Sequence, residues 1–213
     1  MADLVDALGP ARAEGRALIL IGGADFTDAA LDGRLGKFFG TLAGYLERTS
    51  TAVLDGGTDS GVMRLIAEAR RTCSGTFPLI GVAPAGAFAR TTRTGAPITM
   101  ATDHDLIVLV PGTHFGEETS WLFAAADHLG GGAATTILVN GGQLAGDEAR
   151  QRLDAGHVVI AVEGSGRAAD ELASELAQDA GLRASRTLRV VPLDADATGI
   201  AAAIEGEARG TGR

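Results

Sequence analysis

Short apolar runs that end in glycine, each followed by a stretch with helical spacing, recur along this chain of 213 residues and confine it to few folds. The fullest case is Val53-Leu54-Asp55-Gly56-Gly57-Thr58-Asp59-Ser60-Gly61-Val62. Leu18-Ile19-Leu20-Ile21-Gly22-Gly23 and Ile137-Leu138-Val139-Asn140-Gly141-Gly142 follow the same plan, as does Val158-Val159-Ile160-Ala161-Val162-Glu163-Gly164-Ser165-Gly166. Glycine at such a junction permits a tight turn and a close approach of the backbone. The N–H groups that open the next helix present a positive dipole to an anion. Several junctions of this kind on one sheet edge point to a site for phosphate or nucleotide.

Between the junctions the pattern alternates. Strands are predicted over residues 16–21, 51–54, 77–82, 105–110, 135–139, 157–162 and 187–191. Helices are predicted over residues 28–48, 60–71, 117–129, 144–154, 168–180 and 197–208, the first opened by Thr27 and Asp28 as caps. Residues 83–102 break the rhythm with Pro84, Gly86, Gly95 and Pro97, and a loop of that length inside a compact domain is usually functional or mobile. About seven strands alternating with helices give an α/β fold. We expect a Rossmann-like, doubly wound, mainly parallel sheet with helices on both faces. No linker or composition shift divides the chain, so one domain over 1–213 is expected, with a core at 16–192 and a frayed tail at 209–213. In such sheets ligands bind beyond the carboxyl ends of the strands, where strand order reverses. All the glycine junctions lie at those ends.

Composition excludes several classes. Hydrophobic residues make up 46% of the chain and aromatics only 4%, a core of Ala, Val, Leu and Ile such as helix-covered sheets use. A net charge of −9 argues against a nucleic-acid partner, which needs clustered Lys and Arg. Cys73 is the single cysteine, so no internal disulfide forms and a reducing compartment fits. No signal peptide opens the chain and no apolar stretch reaches membrane-spanning length, which leads us to expect a cytoplasmic protein. The four histidines and Cys73 lack metal-ligand spacing, so no metal site is expected. Gly164-Ser165-Gly166 lacks the spacing of a nucleophile elbow.

Three motifs carry the chemistry. In the first, Gly56, Gly57 and Gly61 shape a turn around the hydroxyls of Thr58 and Ser60; it serves as a phosphate or ribose contact or as a plain strand–helix turn capped by Ser60. The second is Pro111-Gly112-Thr113-His114-Phe115-Gly116-Glu117-Glu118-Thr119. Its carboxylates, Glu117 and Glu118, complement a helix dipole and could also hydrogen-bond a sugar or stabilise a cationic sugar centre. In the third, Gly164, Ser165 and Gly166 form an anion cradle to which Arg167 adds a forked donor, unless Arg167 pairs with Asp170 at the helix start. Gly22, Gly23, Gly141 and Gly142 either are simple turns or border the same crevice. Asp25 and Glu148 are expected in solvent, and Trp121 in the core or an interface. Arg90 and Arg93 in the long loop could close over a ligand.

Taken together, residues 54–62, 111–117 and 162–170 resemble the SLOG superfamily of Rossmann-like domains. Within it they are most similar to the LSDAT branch, found at the cytoplasmic N-terminus of melastatin-type TRP channels and in stand-alone prokaryotic proteins. The run Gly164-Ser165-Gly166-Arg167-Ala168-Ala169-Asp170 carries the resemblance most specifically, and the likeness spans residues 17–191. It implies recognition of nucleotides or nucleotide-derived molecules, with ADP-ribose-like or NAD-like ligands and nucleoside phosphates leading, by a ligand sensor that requires no cofactor. Another branch, the phosphoribohydrolases, implies an alternative, a nucleotide N-glycosidase using Glu117 or Glu118. That branch carries Pro-Gly-Gly-x-Gly-Thr-x-x-Glu, whereas residues 111–119 lack the second glycine and the Gly-Thr pair. A third reading is an oligomeric scaffold with a vestigial pocket; a homo-oligomer is expected in any of the three.

Overall fold

The computed structural model describes residue 8 and residues 15–23, 29–92, 95–132 and 134–206. Thr27, Asp28, Asp25, Arg93 and the 209–213 tail lie outside the described residues. Among those described, the chain runs β1 (Ala17–Gly22), α1 (Ala29–Thr49), β2 (Ala52–Asp55), α2 (Gly61–Thr72) and β3 (Leu79–Pro84). After a long loop come β4 (Leu106–Val110), α3 (Thr119–Leu129), β5 (Thr135–Val139), α4 (Gln143–Asp154) and β6 (Val159–Glu163). The chain closes with α5 (Arg167–Gln178), α6 (Ala180–Ser185), β7 (Leu188–Pro192) and α7 (Ala197–Glu205).

The strands form one sheet in the order β4-β3-β2-β1-β5-β6-β7, with every pairing parallel. From β1 the chain builds outward to β4, returns through α3, and builds outward on the other side from β5. Strand order therefore reverses between β1 and β5, whose register pairs Leu18 with Thr135 and Gly22 with Val139. The sequence expectation of a doubly wound parallel sheet holds.

Alternation along the strands sends successive side chains into two separate cores. Leu18 and Leu20 of β1 join Phe38, Phe39 and Leu42 of α1, Val62 and Ile66 of α2 and Ile200 of α7. Ile19 and Ile21 pack on the opposite face with Leu122 and Ala126 of α3, Ala149 of α4 and Leu172 of α5. Burying both faces is what lets these strands read as unbroken apolar runs. Among the described residues no helix is long and apolar enough to cross a membrane.

Three features differ most from the sequence expectation. The predicted helix 168–180 divides at Asp179, whose backbone is extended and whose carboxylate accepts the N–H groups of Gly181 and Leu182 to cap α6. Helix α3 starts at Thr119, so Glu117 lies in the preceding turn. The 83–102 loop holds more order than its sequence suggests. It contains a 3-10 turn at Ala87–Ala89 and bridges Thr91 to Pro97 and Thr58 to Met100.

Close backbone packing fixes the β2–α2 turn. Gly57 has φ +65, a left-handed conformation, and it rests on Gly81 of β3: a Cβ on Gly81 would lie 2.6 Å from the Gly57 Cα. Gly81→Ala is expected to lower stability by roughly 1–3 kcal/mol, because the Gly57 backbone must yield as well as the Ile107 side chain, whose Cδ1 the new Cβ would also meet. An unchanged melting temperature in that variant would contradict the packing.

Candidate functional site

A cavity of about 500 Å³ opens at the carboxyl end of β1, between the two helical layers. That volume lies within the roughly 300–1,000 Å³ of small-molecule sites. Gly22 forms its floor, and Gly56, Thr58, Asp59 and Ser60 of the β2–α2 turn form one wall. The Thr58 and Ser60 hydroxyls stand 3.0 Å apart, and no side chain caps the N-terminus of α2. Glu118 and Leu122 close a second wall, Leu144 and Glu148 of α4 a third. Thr92 and residues 96–99 of the long loop form the roof. That loop is stitched down by two backbone bonds, Asp59 N–H to Thr99 O and Ala101 N–H to Gly57 O. Arg90 is exposed and does not border the cavity, and the described loop residues that cover it carry no charge.

The two adjacent glutamates have different fates. Glu117 is exposed and turns back on its own loop, where its Oε2 accepts the Thr113 N–H at 2.7 Å. That bond, helped by the His114 N–H and ring, holds its carboxyl below the usual range. Glu118 is 4% exposed and faces the cavity. Burial pushes its carboxyl up and the Glu117 charge adds to this, against the opposing N–H groups of Glu118 and Gly116. Its Oε2 accepts the Gly116 N–H at 2.7 Å.

Glu148 reverses the sequence expectation of a solvated side chain. It is 8% exposed, because α4 lies against the start of α3, and its Oε1 accepts the Thr119 hydroxyl at 2.6 Å. Burial, opposed by the Thr119 bond and reinforced by Glu118 and Asp147, pushes its carboxyl from 4.5 to about 7. An i, i+4 pairing of Leu144 with Glu148 on one face of α4 was the available signal, but it also describes any half-exposed helix.

The third motif serves a different space. Gly141, Gly142 and Arg167 border a cleft of about 300 Å³ together with Gln143, Gly146, Asp147, Arg150 and Glu171. The first turn of α4 separates the two spaces: Leu144 and Glu148 face the larger, Gln143 and Asp147 the smaller. The two halves of the expected nucleotide clamp thus lie on opposite sides of one helix turn. Arg167, at φ +53, lays its guanidinium over Gly142, where a Cβ would meet Nη2 at 2.9 Å. It does not pair with Asp170, which accepts the Gly164 N–H at 2.7 Å instead.

Several predicted site residues border neither space. The Ser165 hydroxyl is buried, donating to Val162 O and accepting the Asn140 N–H, so it joins β5 to β6. Gly23, Gly57, Gly61, Gly112, Thr113, Glu117, Gly164 and Gly166 shape the surrounding turns without lining the cavity or the cleft. Below the cavity, His104 Nε2 lies 2.9 and 3.0 Å from the Asp55 carboxylate oxygens, with both side chains fully buried, and Asp55 also accepts the Gly57 N–H. This pair ties the end of the long loop to the β2–α2 turn. Among the described residues, no group of three or more His, Cys, Asp or Glu is placed to hold a metal ion.

A parallel α/β sheet reversed between β1 and β5, with glycine turns and a cavity at its carboxyl edge, defines a Rossmann-like domain. Residues 16–201 match the family described as SLOG in TRPM, prokaryote, and the chain belongs to that family. No curated protein matches the chain. Among solved structures it is similar to the structural-genomics target TM1055 at 18% identity and a TM-score of 0.62, covering 89% of this chain and 98% of that one. The Moco carrier protein from Chlamydomonas reinhardtii is 19% identical with a TM-score of 0.58, covering 91% and 96%. The molybdenum cofactor binding protein from the phototrophic bacterium Rippkaea orientalis is 14% identical with a TM-score of 0.61, also covering 91% and 96%. At these identities the likeness is one of fold.

Proposed function

We propose that this protein binds a nucleotide-type small molecule, of the ADP-ribose, NAD or nucleoside phosphate class, at the carboxyl edge of the sheet. The observation that carries the reading is the division of charge across the first turn of α4. The larger cavity presents Asp59, Glu118 and Glu148 among apolar groups, while the adjoining cleft holds the guanidiniums of Arg150 and Arg167 alongside the carboxylates of Asp147 and Glu171, so that among the described residues cations border only the cleft. A nucleotide has the same division, with a hydroxyl- and amine-bearing nucleoside at one end and phosphate at the other. Arg150 is partly engaged by Glu175 at 2.6 Å, which leaves Arg167 as the principal phosphate donor. The molybdenum cofactor of the similar structures is not carried over, since only fold is shared.

ADP-ribose, NAD or AMP is expected to raise the melting temperature, and Arg167→Ala to abolish most of that shift. Thermal denaturation with each compound at millimolar concentration checks this, and the absence of a shift with all three would sink the proposal.

One observation favours a second reading, a nucleotide N-glycosidase. Glu118 and Glu148 both border the cavity with carboxyls pushed up by burial, and a proton-bearing carboxyl beside an ionised one suits acid–base work on a glycosidic bond. Incubation with nucleoside monophosphates and NAD, followed by assay for free base, separates the two. Turnover lost in a Glu118→Gln, Glu148→Gln double variant supports the enzyme, and no release of base by the native protein rejects it.

A further inference from the structure

Among the described residues, those bordering the larger cavity include no Lys, Arg or His, and their ionisable groups are Asp59, Glu118 and Glu148. Such a wall repels phosphate and attracts hydrogen-bond donors. Glu118 and Glu148 are each more than nine-tenths buried. Glu148 commits Oε1 to the Thr119 hydroxyl, and its side chain lines the cavity. A largely buried carboxyl at a cavity wall is favourable there when a ligand or water hydrogen-bonds to it.

We propose that Glu118 and Glu148 act as one recognition element for the nucleoside end of the ligand, Glu148 in its acid form donating a hydrogen bond and Glu118 accepting one. This rests on the nucleotide reading above and assigns a polarity and a role to each carboxyl within it. Glu148 faces Glu118 from the turn before α3, Thr119 from α3, Asp147 on its own helix and Asp59 across the cavity. The Thr119 hydroxyl favours the charged form and the carboxylates favour the acid form, so the proton on Glu148 is set by this local balance. With half of the acid form lost near pH 7, affinity falls as pH rises: roughly thirtyfold between pH 6 and pH 8.5.

Calorimetric titration of ADP-ribose, AMP and adenosine at pH 6, 7 and 8.5 tests the assignment. In the native protein, adenosine and ADP-ribose should both bind more weakly at high pH. Glu148→Gln, whose amide donates at every pH, should bind with little pH dependence. Thr119→Val, which removes the bond that favours the charged form, should move the midpoint of the loss to higher pH. Binding by the native protein that is equal at all three pH values, or a Glu148→Gln variant with the native pH dependence, overturns the assignment and leaves the nucleotide reading standing. No binding of any of the three compounds at any pH overturns both.

Discussion

Glu148→Gln is expected to raise the melting temperature at pH 8 and to leave it nearly unchanged at pH 5. In the unfolded chain this carboxyl ionises near 4.5, whereas burial in the folded protein pushes it to about 7. The folded state therefore holds the proton more tightly than the unfolded state does. Stability consequently falls as pH rises from 4.5 through about 7 and is level above that. Glutamine keeps the shape of the side chain and an oxygen for the Thr119 hydroxyl, and it removes the charge whose burial is unfavourable. At roughly 1.4 kcal/mol per pH unit, the interval sets a ceiling of about 3 kcal/mol, or about 6–12 °C for a chain of this size. The quantity to measure is the difference in melting temperature between variant and native protein at the two pH values. Equal differences at pH 5 and pH 8 would falsify the buried-acid account. A protein that keeps an uncompensated acid in its cavity trades stability for a chemical capacity there, in line with the general opposition between stable and functional sites.

Replacement of His104 by alanine is expected to cost roughly 3–5 kcal/mol near pH 6, because it leaves the buried Asp55 carboxylate without its cation. Burial of the imidazole disfavours its charge. Attraction and hydrogen bonding by Asp55, with help from Asp105 and against Arg70, outweigh that and hold the ring above its ordinary 6.5. Because the folded value is the higher one, the pair's contribution is complete below pH 6.5 and is lost as pH rises through the raised value. Denaturant melts of native protein and His104→Ala across pH 5 to 9 check this. The native protein should lose stability over the upper part of that range, and the variant, lower at pH 6, should lose less. A variant whose curve runs parallel to the native one throughout would show that the imidazole charge contributes nothing. The consequence extends to the site, since Asp55 also holds the Gly57 N–H and so positions the turn that forms the cavity wall.

Much of the architecture was legible in the chain. Continuous apolar runs such as Leu18-Ile19-Leu20-Ile21 are too short for buried helices and too uniform for half-exposed strands, so they identify a parallel sheet covered on both faces. The family was legible too, because glycine turns constrain the backbone locally and leave a motif of fixed spacing, as at residues 164–170. The loop at residues 83–102 was less so. Its bridges from Thr58 to Met100 and from Thr91 to Pro97 depend on partners that no local period reveals.

What the sequence by itself determined is therefore the set of strand–glycine–helix junctions and the edge on which they lie, since both follow from short-range backbone conformation and alternation. Which junctions share a space was decided only by tertiary structure. The order β4-β3-β2-β1-β5-β6-β7 sets β1 against β5, and the first turn of α4 then divides the cavity at Gly56–Ser60 from the cleft at Gly142 and Arg167. The same packing carries α4 against the start of α3 and buries Glu148 beside Glu118, turning an apparently solvated helix residue into an acid. Burial is a property of the assembled layers, and a carboxyl's chemistry follows its burial.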